Sequence, residues 1–443
     1  MTQDNKMSNG MKIGIVGAGF TGLSAAYYLG KKGHRVTVIE KDSNPGGLAI
    51  GFSDKNWNWT LEKHYHHWFT NDKNVLELAK EIQHEVIIKR PKTSVYVDGK
   101  IFQFDSPKEV LLFPKLPIID RFRMGLVIGF LKFNPIWKPL EKINATTFLP
   151  KTIGKKSYKL IWEPLFRNKF GPYVSDVSLA WFWARIVKRT PSLAYPKGGF
   201  LDFANHLVKQ IEGQGGEVIF ETDVIEISSN KKPQIKFRRI ENSKRPGGTR
   251  IEKYDIVIVT LPSFLFLKIA PGLPREYKNR FAKLKGLGAT NLVLRLNRPF
   301  LPDTTYWLNV CDSNHPIMAI VEHTNFMDKK NYNNEYLVYL GNYLPPDSER
   351  FEMAKEETLK LFDPYLRKIN PNYKGHLTGF ELFKVSFAQP IIPTNYSKMI
   401  PPIKTPLPNV YLANIEQVYP WDRGTNYAVE LGEKVANTVT DEN

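Results

Sequence analysis

The sequence has a single cysteine, Cys311, among its 443 residues. One thiol cannot form an intramolecular disulfide, a cysteine-based metal site or a CxxC redox pair. Disulfide-stabilised secreted domains are therefore excluded. The N-terminus also lacks a recognisable signal peptide, and we expect a cytoplasmic location.

A hydrophobic run long enough to cross a bilayer is missing, since a membrane-spanning helix needs ~20 apolar residues. The most apolar stretch, residues 110–133, is interrupted by Pro114, Pro117, Asp120 and Arg123. Its second half, MGLVIGFLKF, is typical of a helix in a substrate-binding domain, and we expect it to be buried. A peripheral position at a membrane surface is the alternative, because basic residues flank the segment.

Acidic residues are scarce: 44 Asp and Glu stand against 62 Lys and Arg, and the formal net charge is +18. Such a charge suits nucleic acid, a membrane surface or an anionic small molecule. The sequence has no zinc finger, RNA-binding signature or block of basic residues. We therefore expect no nucleic-acid partner and a small-molecule substrate, either anionic or a sugar nucleotide. No pattern in the sequence indicates an oligomeric state.

The segment KIGIVGAGFTGLSAAYYLGKKGHRVTVIE, residues 12–40, has the order of a nucleotide-binding unit. An apolar run precedes Gly17, Gly19 and Gly22, and a helix-forming stretch and a second apolar run lead to Glu40. This order predicts a β-α-β unit whose helix N-terminus binds a pyrophosphate. A carboxylate at the end of the second strand can accept both ribose hydroxyls, which disfavours NADP.

A second glycine pair, Gly46 and Gly47, follows the acidic strand end, and here the chain resembles the FAD-dependent amine oxidase superfamily. The resemblance is to the protoporphyrinogen oxidase-like and phytoene desaturase-like branch, and it covers nearly the whole chain. It implies FAD as a non-covalent cofactor, with the glycine pair turning over the phosphates and Val224 contributing to the cofactor site.

The resemblance also implies the fold class, an α/β protein with a discontinuous Rossmann-type FAD-binding domain and an inserted α+β substrate domain. We expect a disordered tail at residues 1–10. The predicted FAD-binding domain comprises residues 11–95, 195–270 and 405–443. The predicted substrate domain comprises residues 96–194 and 271–404.

The C-terminal segment WDRGTNYAVELGEKVANTV predicts a turn and then a helix, whose first backbone N–H groups can stabilise negative charge. In the superfamily the matching helix points at the pyrimidine side of the flavin. By that match, Gly424, Thr425 and Asn426 lie under the ring, and Asp422 and Arg423 line its edge.

Three histidines fall within four positions of EKHYHHWF, and His66 and His67 are candidates for acid–base catalysis. In an extended chain His64 and His66 face one side and His67 the other, so only one neighbour would face the flavin. A structural wall of the flavin pocket is the alternative. The stretch is similar to one in UDP-galactopyranose mutase. We expect no metal site, because no third ligand or carboxylate triad accompanies the histidines.

Basic and aromatic residues are mixed in WEPLFRNKFG and AWFWARIVKR, which suits a flat or anionic substrate. The candidate substrate-binding residues are Arg167, Lys169 and Arg185. A helical core with a basic rim is the alternative. Asn291 takes the position that a lysine holds in true amine oxidases, which argues against simple amine oxidation.

These features predict an FAD-dependent oxidoreductase, a dehydrogenase, oxidase or desaturase that moves hydride from an organic substrate to flavin N5. One alternative is a non-redox, flavin-dependent sugar mutase similar to UDP-galactopyranose mutase. Another is a nucleotide-binding scaffold without activity, which would purify without flavin.

Overall fold

The computed structural model describes residues 10–240, 248–312 and 315–442. The tail expected to be disordered, residues 1–10, lies outside these ranges except for Gly10. The strands are β1 (Lys12–Val16), β2 (Arg35–Ile39), β3 (Gly51–Phe52), β4 (Leu61–Glu62), β5 (Trp68–Phe69), β6 (Val86–Lys89), β7 (Lys92–Val97), β8 (Lys100–Gln103), β9 (Leu193–Pro196), β10 (Glu217–Ile219), β11 (Thr222–Ser229), β12 (Pro233–Arg239), β13 (Thr249–Lys253), β14 (Ile256–Val259), β15 (Gly286–Leu296), β16 (Thr305–Val310), β17 (Ala319–Glu322), β18 (Tyr336–Leu344), β19 (Leu377–Pro390) and β20 (Val410–Leu412). The helices are α1 (Phe20–Lys31), α2 (Lys73–Glu81), α3 (Pro107–Leu112), α4 (Ile118–Phe133), α5 (Ala145–Thr152), α6 (Lys155–Ser157), α7 (Glu163–Phe170), α8 (Leu179–Lys188), α9 (Phe200–Gly213), α10 (Ser263–Ile269), α11 (Arg275–Phe281), α12 (Glu349–Glu352), α13 (Lys355–Ile369) and α14 (Thr425–Glu442).

A five-stranded parallel sheet has the strand order β10-β2-β1-β14-β20. Ile13 and Ile15 of β1 and Ile256 and Ile258 of β14 are fully buried, as in a sheet that is covered on both faces. The chain passes from β1 through α1 to β2 on one side, whereas β14 and β20 lie on the other side. Ligands of such sheets bind at the carboxyl ends of the strands beside this reversal.

A second, seven-stranded sheet has the order β19-β15-β18-β17-β16-β7-β8. It is antiparallel except for the parallel pair β16–β7. Helices α3 to α8 enclose a separate apolar core that includes Phe166, Phe170 and Trp183. The Rossmann-type parallel sheet together with this mixed region confirms the predicted α/β fold class.

The expectation that the segment MGLVIGFLKF is buried is wrong. Within α4 only Met124 and Leu131 are buried, whereas Leu126 and Phe130 are exposed. The helix packs against α3, α5, α6 and α8, and no element of the described residues covers its outer face. Apolar composition alone does not show which face of a helix meets a neighbour. In the part of the chain that the structure describes, no helix has the length and apolar character to cross a membrane.

Candidate cofactor and substrate site

The glycine loop between β1 and α1 is closely packed. A Cβ at Gly22 would lie 2.0 Å from the carbonyl oxygen of Gly17, so a side chain there would push α1 off the loop. Helix α1 begins after Gly19 with no side-chain cap and no acidic residue in its first turn, within the described residues. Its first N–H groups are therefore available to an anion.

The second glycine pair lies directly against this loop. The backbone N–H of Gly46 donates to the carbonyl of Ala18 at 2.9 Å. Gly47 has φ +57°, and a Cβ on it would lie 2.9 Å from the Cα of Gly19. The two glycine segments therefore form one backbone surface, which allows a phosphate to approach closely.

Glu40 lies at the carboxyl end of β2, beside the glycine loop. Its carboxylate accepts from the backbone N–H of Ala18 at 2.7 Å and of Asp42 at 2.8 Å. Burial raises the pKa of this carboxyl group. The N–H of Thr222 donates to the Glu40 carbonyl at 2.8 Å, which brings β11 and its residue Val224 close to the same strand end.

Helix α14 places the C-terminal candidates beside α1. A Cβ on Gly432 would lie 2.5 Å from the carbonyl oxygen of Thr21, so the two helices touch by their backbones. The indole of Trp68 donates to Thr425 Oγ1 at 2.6 Å, and the N–H of Val75 donates to Asn426 Oδ1 at 3.2 Å. These side chains are held by the protein, so the helix terminus offers its backbone to a ligand.

A cavity of about 250 Å³ opens at the start of α14. Gly424 and Thr425 form one edge of it, and Asp422 and Arg423 lie beside them. Much of the wall is aromatic. The aromatic side chains that line it are those of Tyr65, Phe69, Phe104, Trp162, Phe166, Trp181, Phe182, Trp307 and Tyr343.

His66 and His67 both line this cavity, so the alternation expected of an extended segment does not hold, and which of the two faces the flavin stays a prediction. The chain bends at Lys63 and His64 and is not a continuous strand there. His66 Nδ1 lies 2.6 Å from the carbonyl oxygen of His64. Because a carbonyl oxygen can only accept a hydrogen bond, Nδ1 carries the proton, and Nε2 of the neutral ring is unprotonated. His67 Nδ1 lies 3.2 Å from the hydroxyl of Tyr306.

Burial keeps the histidine cluster neutral near pH 7. It lowers the pKa of His64 to about 3, that of His66 to about 4 and that of His67 to about 3. The amide Nδ2 of Asn291 lies 2.6 Å from His64 Nδ1, and the Asn291 Oδ1 is buried without a partner among the described residues. Within those residues no group of three or more potential metal-ligating side chains converges.

Positive side chains outnumber carboxylates in the cavity. Lys169, Arg185, Arg189 and Arg423 line it together with one carboxylate, that of Asp422. Asp422 pairs with Arg185 and accepts from the indole of Trp181 at 3.1 Å. Burial alone would raise the pKa of Asp422, but Arg185, Lys169 and Arg423 hold it well below its ordinary value.

The other cations of the cavity contact neutral groups. Arg423 donates to Gln389 Oε1 at 3.2 Å and to the hydroxyl of Tyr343. The Lys169 ammonium lies 4.7 Å from the ring centre of Tyr343 and 5.5 Å from that of Trp181. It makes no ion pair within 4.0 Å to any described residue. Burial lowers its pKa well below the ordinary value, and Arg185 lowers it further.

Arg167, the third candidate for substrate binding, does not belong to this cavity. Its exposed guanidinium pairs with Glu163 one turn earlier at 2.9 Å. Residues two apart on a helix lie about 200° apart around its axis, so α7 turns Lys169 toward the cavity and Arg167 away from it. Sequence reasoning also missed Tyr343 and Gln389, which come from the distant strands β18 and β19.

The comparisons with known proteins agree with this geometry. The family model described as "Flavin containing amine oxidoreductase" matches residues 20–440. The chain belongs to this family. FAD, expected from the glycine segments, is therefore confirmed as the cofactor. The uncapped N-terminus of α1 and the glycine surface fit its pyrophosphate, and Glu40 at the end of β2 stays the predicted ribose ligand.

Three proteins of known name or structure are similar to this chain over most of its length. A 15-cis-phytoene desaturase of Capsicum annuum is 23% identical over 400 residues, which are 80% of this chain and 65% of that protein. A putative protoporphyrinogen oxidase structure from Exiguobacterium sp. 255-15 has a TM-score of 0.74 at 15% identity and covers 98% of this chain and 99% of its own. A reduced UDP-galactopyranose mutase structure also has a TM-score of 0.74, at 17% identity, over 98% of this chain and 96% of its own.

These structural similarities show the fold and nothing about the reaction, because the identities are low. The chain also spans only part of the length of the curated relatives that it matches first: 25%, 62% and 65% of their lengths. The activity and the substrate therefore do not follow from these relatives.

Replacing Glu40 with alanine is expected to weaken FAD binding roughly 10- to 100-fold. The substitution removes a charge-assisted hydrogen bond to the ribose, worth about 1.5–3 kcal/mol. Flavin fluorescence titration of the apoprotein measures the affinity. Asp42→Ala, an exposed change two residues away, should stay within twofold of wild type. Equal affinity of Glu40→Ala and wild type would show that Glu40 does not bind the ribose.

Gly424→Val is expected to lower the flavin midpoint potential by some tens of millivolts. A Cβ at Gly424 meets no protein atom closer than Tyr427 at 4.0 Å, so the side chain would intrude on the ligand and not on the fold. A partly buried helix terminus stabilises an anion by up to about 2 kcal/mol, and 1.4 kcal/mol is about 30 mV for two electrons. Spectroelectrochemical titration measures the shift.

The matched control for this change is Gly375→Val, at a glycine that has no neighbouring atom within 4 Å and lies outside the cavity lining. Its potential should equal that of wild type. If Gly424→Val alters neither the potential nor the FAD affinity, the start of α14 does not contact the flavin.

Proposed function

We propose that the protein is an FAD-dependent oxidoreductase that removes hydride from an organic substrate carrying an anionic group. The observation that carries the proposal is the cavity at the start of α14, in which four cations share one carboxylate. FAD, when bound, supplies the hydride acceptor, and the protein supplies the binding site, the orientation and the electrostatic environment.

The charge balance of the cavity favours an anionic substrate. Asp422 is already paired with Arg185, and among the described residues Lys169 and Arg423 make their direct contacts with aromatic, hydroxyl and amide groups. A buried cation without an anionic partner carries a large desolvation cost. A carboxylate or phosphate on the substrate would offset this cost, whereas a pure hydrocarbon would leave the cations unpaired.

The shape of the cavity favours a compact substrate with a flat or apolar body. Trp162, Phe166 and Phe182 provide apolar walls, and a volume of about 250 Å³ is at or just below the lower end of ordinary small-molecule pockets. These features favour an anionic organic molecule with a flat or apolar body.

The ionisation states of the neighbouring side chains suit hydride removal. Such a step needs a substrate held in the correct orientation but requires no charged acid from the protein. The three histidines are neutral near pH 7 because burial lowers their pKa values. His66 and His67 are therefore proposed as walls of the site that orient the substrate, with an unprotonated ring nitrogen available to accept a hydrogen bond.

Anaerobic reduction of the purified, FAD-loaded protein tests the reaction type. Small carboxylates and phosphate esters are added in turn, and the flavin absorbance is followed. An oxidoreductase substrate should bleach the flavin by one two-electron equivalent, after which turnover stops until an acceptor is added. A protein that converts substrate repeatedly with a reduced flavin and no net electron transfer would instead be a mutase and would contradict the proposal.

Lys169→Met is expected to weaken binding of an aromatic carboxylate at least tenfold. The probes are benzoate and its neutral counterpart benzamide, and each dissociation constant is obtained from the change in the flavin spectrum. Loss of one charge-assisted hydrogen bond is worth about 1.5–3 kcal/mol, and benzamide binding should change little because it carries no charge.

Arg167→Met is the matched control, since Arg167 lies on the same helix but outside the cavity. It should bind benzoate as wild type does. The anionic-substrate proposal is wrong if wild type binds benzamide as tightly as benzoate, or if Lys169→Met weakens both probes equally.

A further inference from the structure

The outer face of α3 and α4 concentrates the exposed apolar surface of the protein. Thirteen large hydrophobic side chains of the described residues are exposed, and nine of them lie between residues 111 and 136. Leu126 is 73% and Phe133 86% exposed. Monomeric proteins rarely expose such a contiguous apolar patch without a partner.

Helical geometry makes the patch continuous. At 100° per residue, Ile119, Phe122, Leu126, Phe130 and Phe133 fall within about 80° of one another around the axis of α4. The buried residues Met124 and Leu131 lie on the opposite side. Leu112 of α3 and Ile136 after α4 are also exposed. We call these seven exposed side chains the docking face.

Basic residues surround the docking face. Between residues 107 and 159 the chain has eleven Lys or Arg and three Asp or Glu. Lys108, Arg123, Lys138, Lys155 and Lys156 are exposed. An apolar stripe with a cationic surround is the pattern of a helix that lies in the interface of a membrane with anionic lipids.

We propose that the docking face binds the surface of an anionic lipid bilayer, with α4 lying parallel to the membrane plane. The apolar stripe enters the boundary between headgroups and acyl chains, and the surrounding lysines and arginines contact lipid phosphates. The helix is too short and too interrupted by charge to span, so the contact is peripheral.

The charge distribution favours lipid over a second copy of the chain. A two-fold symmetric dimer would place the same patch against itself, and both surfaces would carry the same excess of positive charge. Like charges that face each other oppose association. An anionic bilayer is complementary to both features, because its acyl chains match the apolar stripe and its phosphates match the basic residues around it.

Helix α4, which carries most of the docking face, is hydrogen-bonded to a helix that forms part of the cavity wall. The Lys132 ammonium donates to the backbone carbonyls of Ile186, Val187 and Arg189 at 2.8 to 3.1 Å. These carbonyls lie at the C-terminal end of α8, which carries the cavity residue Arg185. Bilayer contact through α4 therefore holds the cavity at a fixed position relative to the membrane.

Vesicle flotation of the full-length, FAD-loaded protein tests the proposal. The vesicles contain phosphatidylcholine alone or phosphatidylcholine with 30% phosphatidylglycerol. Wild type should float with the anionic vesicles, and its partition coefficient should fall when NaCl is raised from 0.1 to 0.5 M. The double variant Leu126→Gln, Phe130→Gln should lower the partition coefficient at least tenfold, because each apolar side chain contributes to burial in the interface.

Ile88→Gln, Ile251→Gln is the matched control, since both residues are more than half exposed but lie outside the docking face. It should partition within twofold of wild type. Arg123→Gln, Lys138→Gln keeps the apolar stripe and should weaken binding to the anionic vesicles, with little change on neutral ones. Melting temperatures confirm that the variants are folded.

Three results would overturn the proposal. Wild type could fail to float with anionic vesicles, or the Leu126→Gln, Phe130→Gln variant could float as wild type does. Light scattering without lipid could also show a dimer for wild type and a monomer for this variant, which would assign the face to a second copy.

Discussion

The contact between α1 and α14 is the constraint on which the site depends. Both helices begin at the carboxyl edge of the same parallel sheet, after β1 and β20 respectively. Their backbones touch where Gly432 meets Thr21, and a Cβ there would lie 2.5 Å from a carbonyl oxygen. The absence of one side chain thus allows two helices from opposite ends of the chain to pack with their backbones in contact.

The second region of the protein completes the site from the other side. Trp307 on β16 and Tyr343 on β18 form part of the cavity wall, and α7 and α8 contribute Lys169 and Arg185. Asp422 connects these parts, because it lies in the C-terminal turn and bonds to both Trp181 and Arg185 of α8. Asp422, the one carboxylate that lines the cavity among the described residues, therefore joins the two regions.

Local patterns in the sequence were sufficient to predict the β-α-β unit at residues 12–40. The β-α-β unit, its glycines and Glu40 lie within 29 consecutive residues, and their geometry follows from short-range sterics and hydrogen bonding. The C-terminal helix was placed by resemblance, since nothing local relates residue 424 to residue 19. The sequence therefore predicted the local structure of each segment better than how the segments meet.

The errors concerned orientation, which depends on tertiary contacts. The chain bends at Lys63 and His64, so the alternation expected of an extended segment does not hold and both His66 and His67 line one cavity. Arg167 and Lys169 share a helix, but only packing fixes which of them faces inward. Helix α4 has enough apolar residues for a core, yet its stripe faces outward because the neighbouring helices pack on its other side. In each case the sequence indicated which residue types were present, but it did not show in which direction their side chains face around the axis of the helix or extended segment.

The excess positive charge of the chain lies in two environments with different physical consequences. Cations in the cavity lie in a region of low dielectric, where each charge interacts strongly and is little screened by salt. The exposed cations around α4 are screened, and each contributes only about 1 kcal/mol at an anionic surface, so many are required together with an apolar stripe. A few buried cations can thus provide specificity for one anionic group, whereas many exposed lysines and arginines around an apolar stripe can provide attraction to an anionic surface. The same net charge of +18 is consistent with both roles because the protein separates them, with α8 supplying cavity cations and the adjacent α4 presenting the outer face.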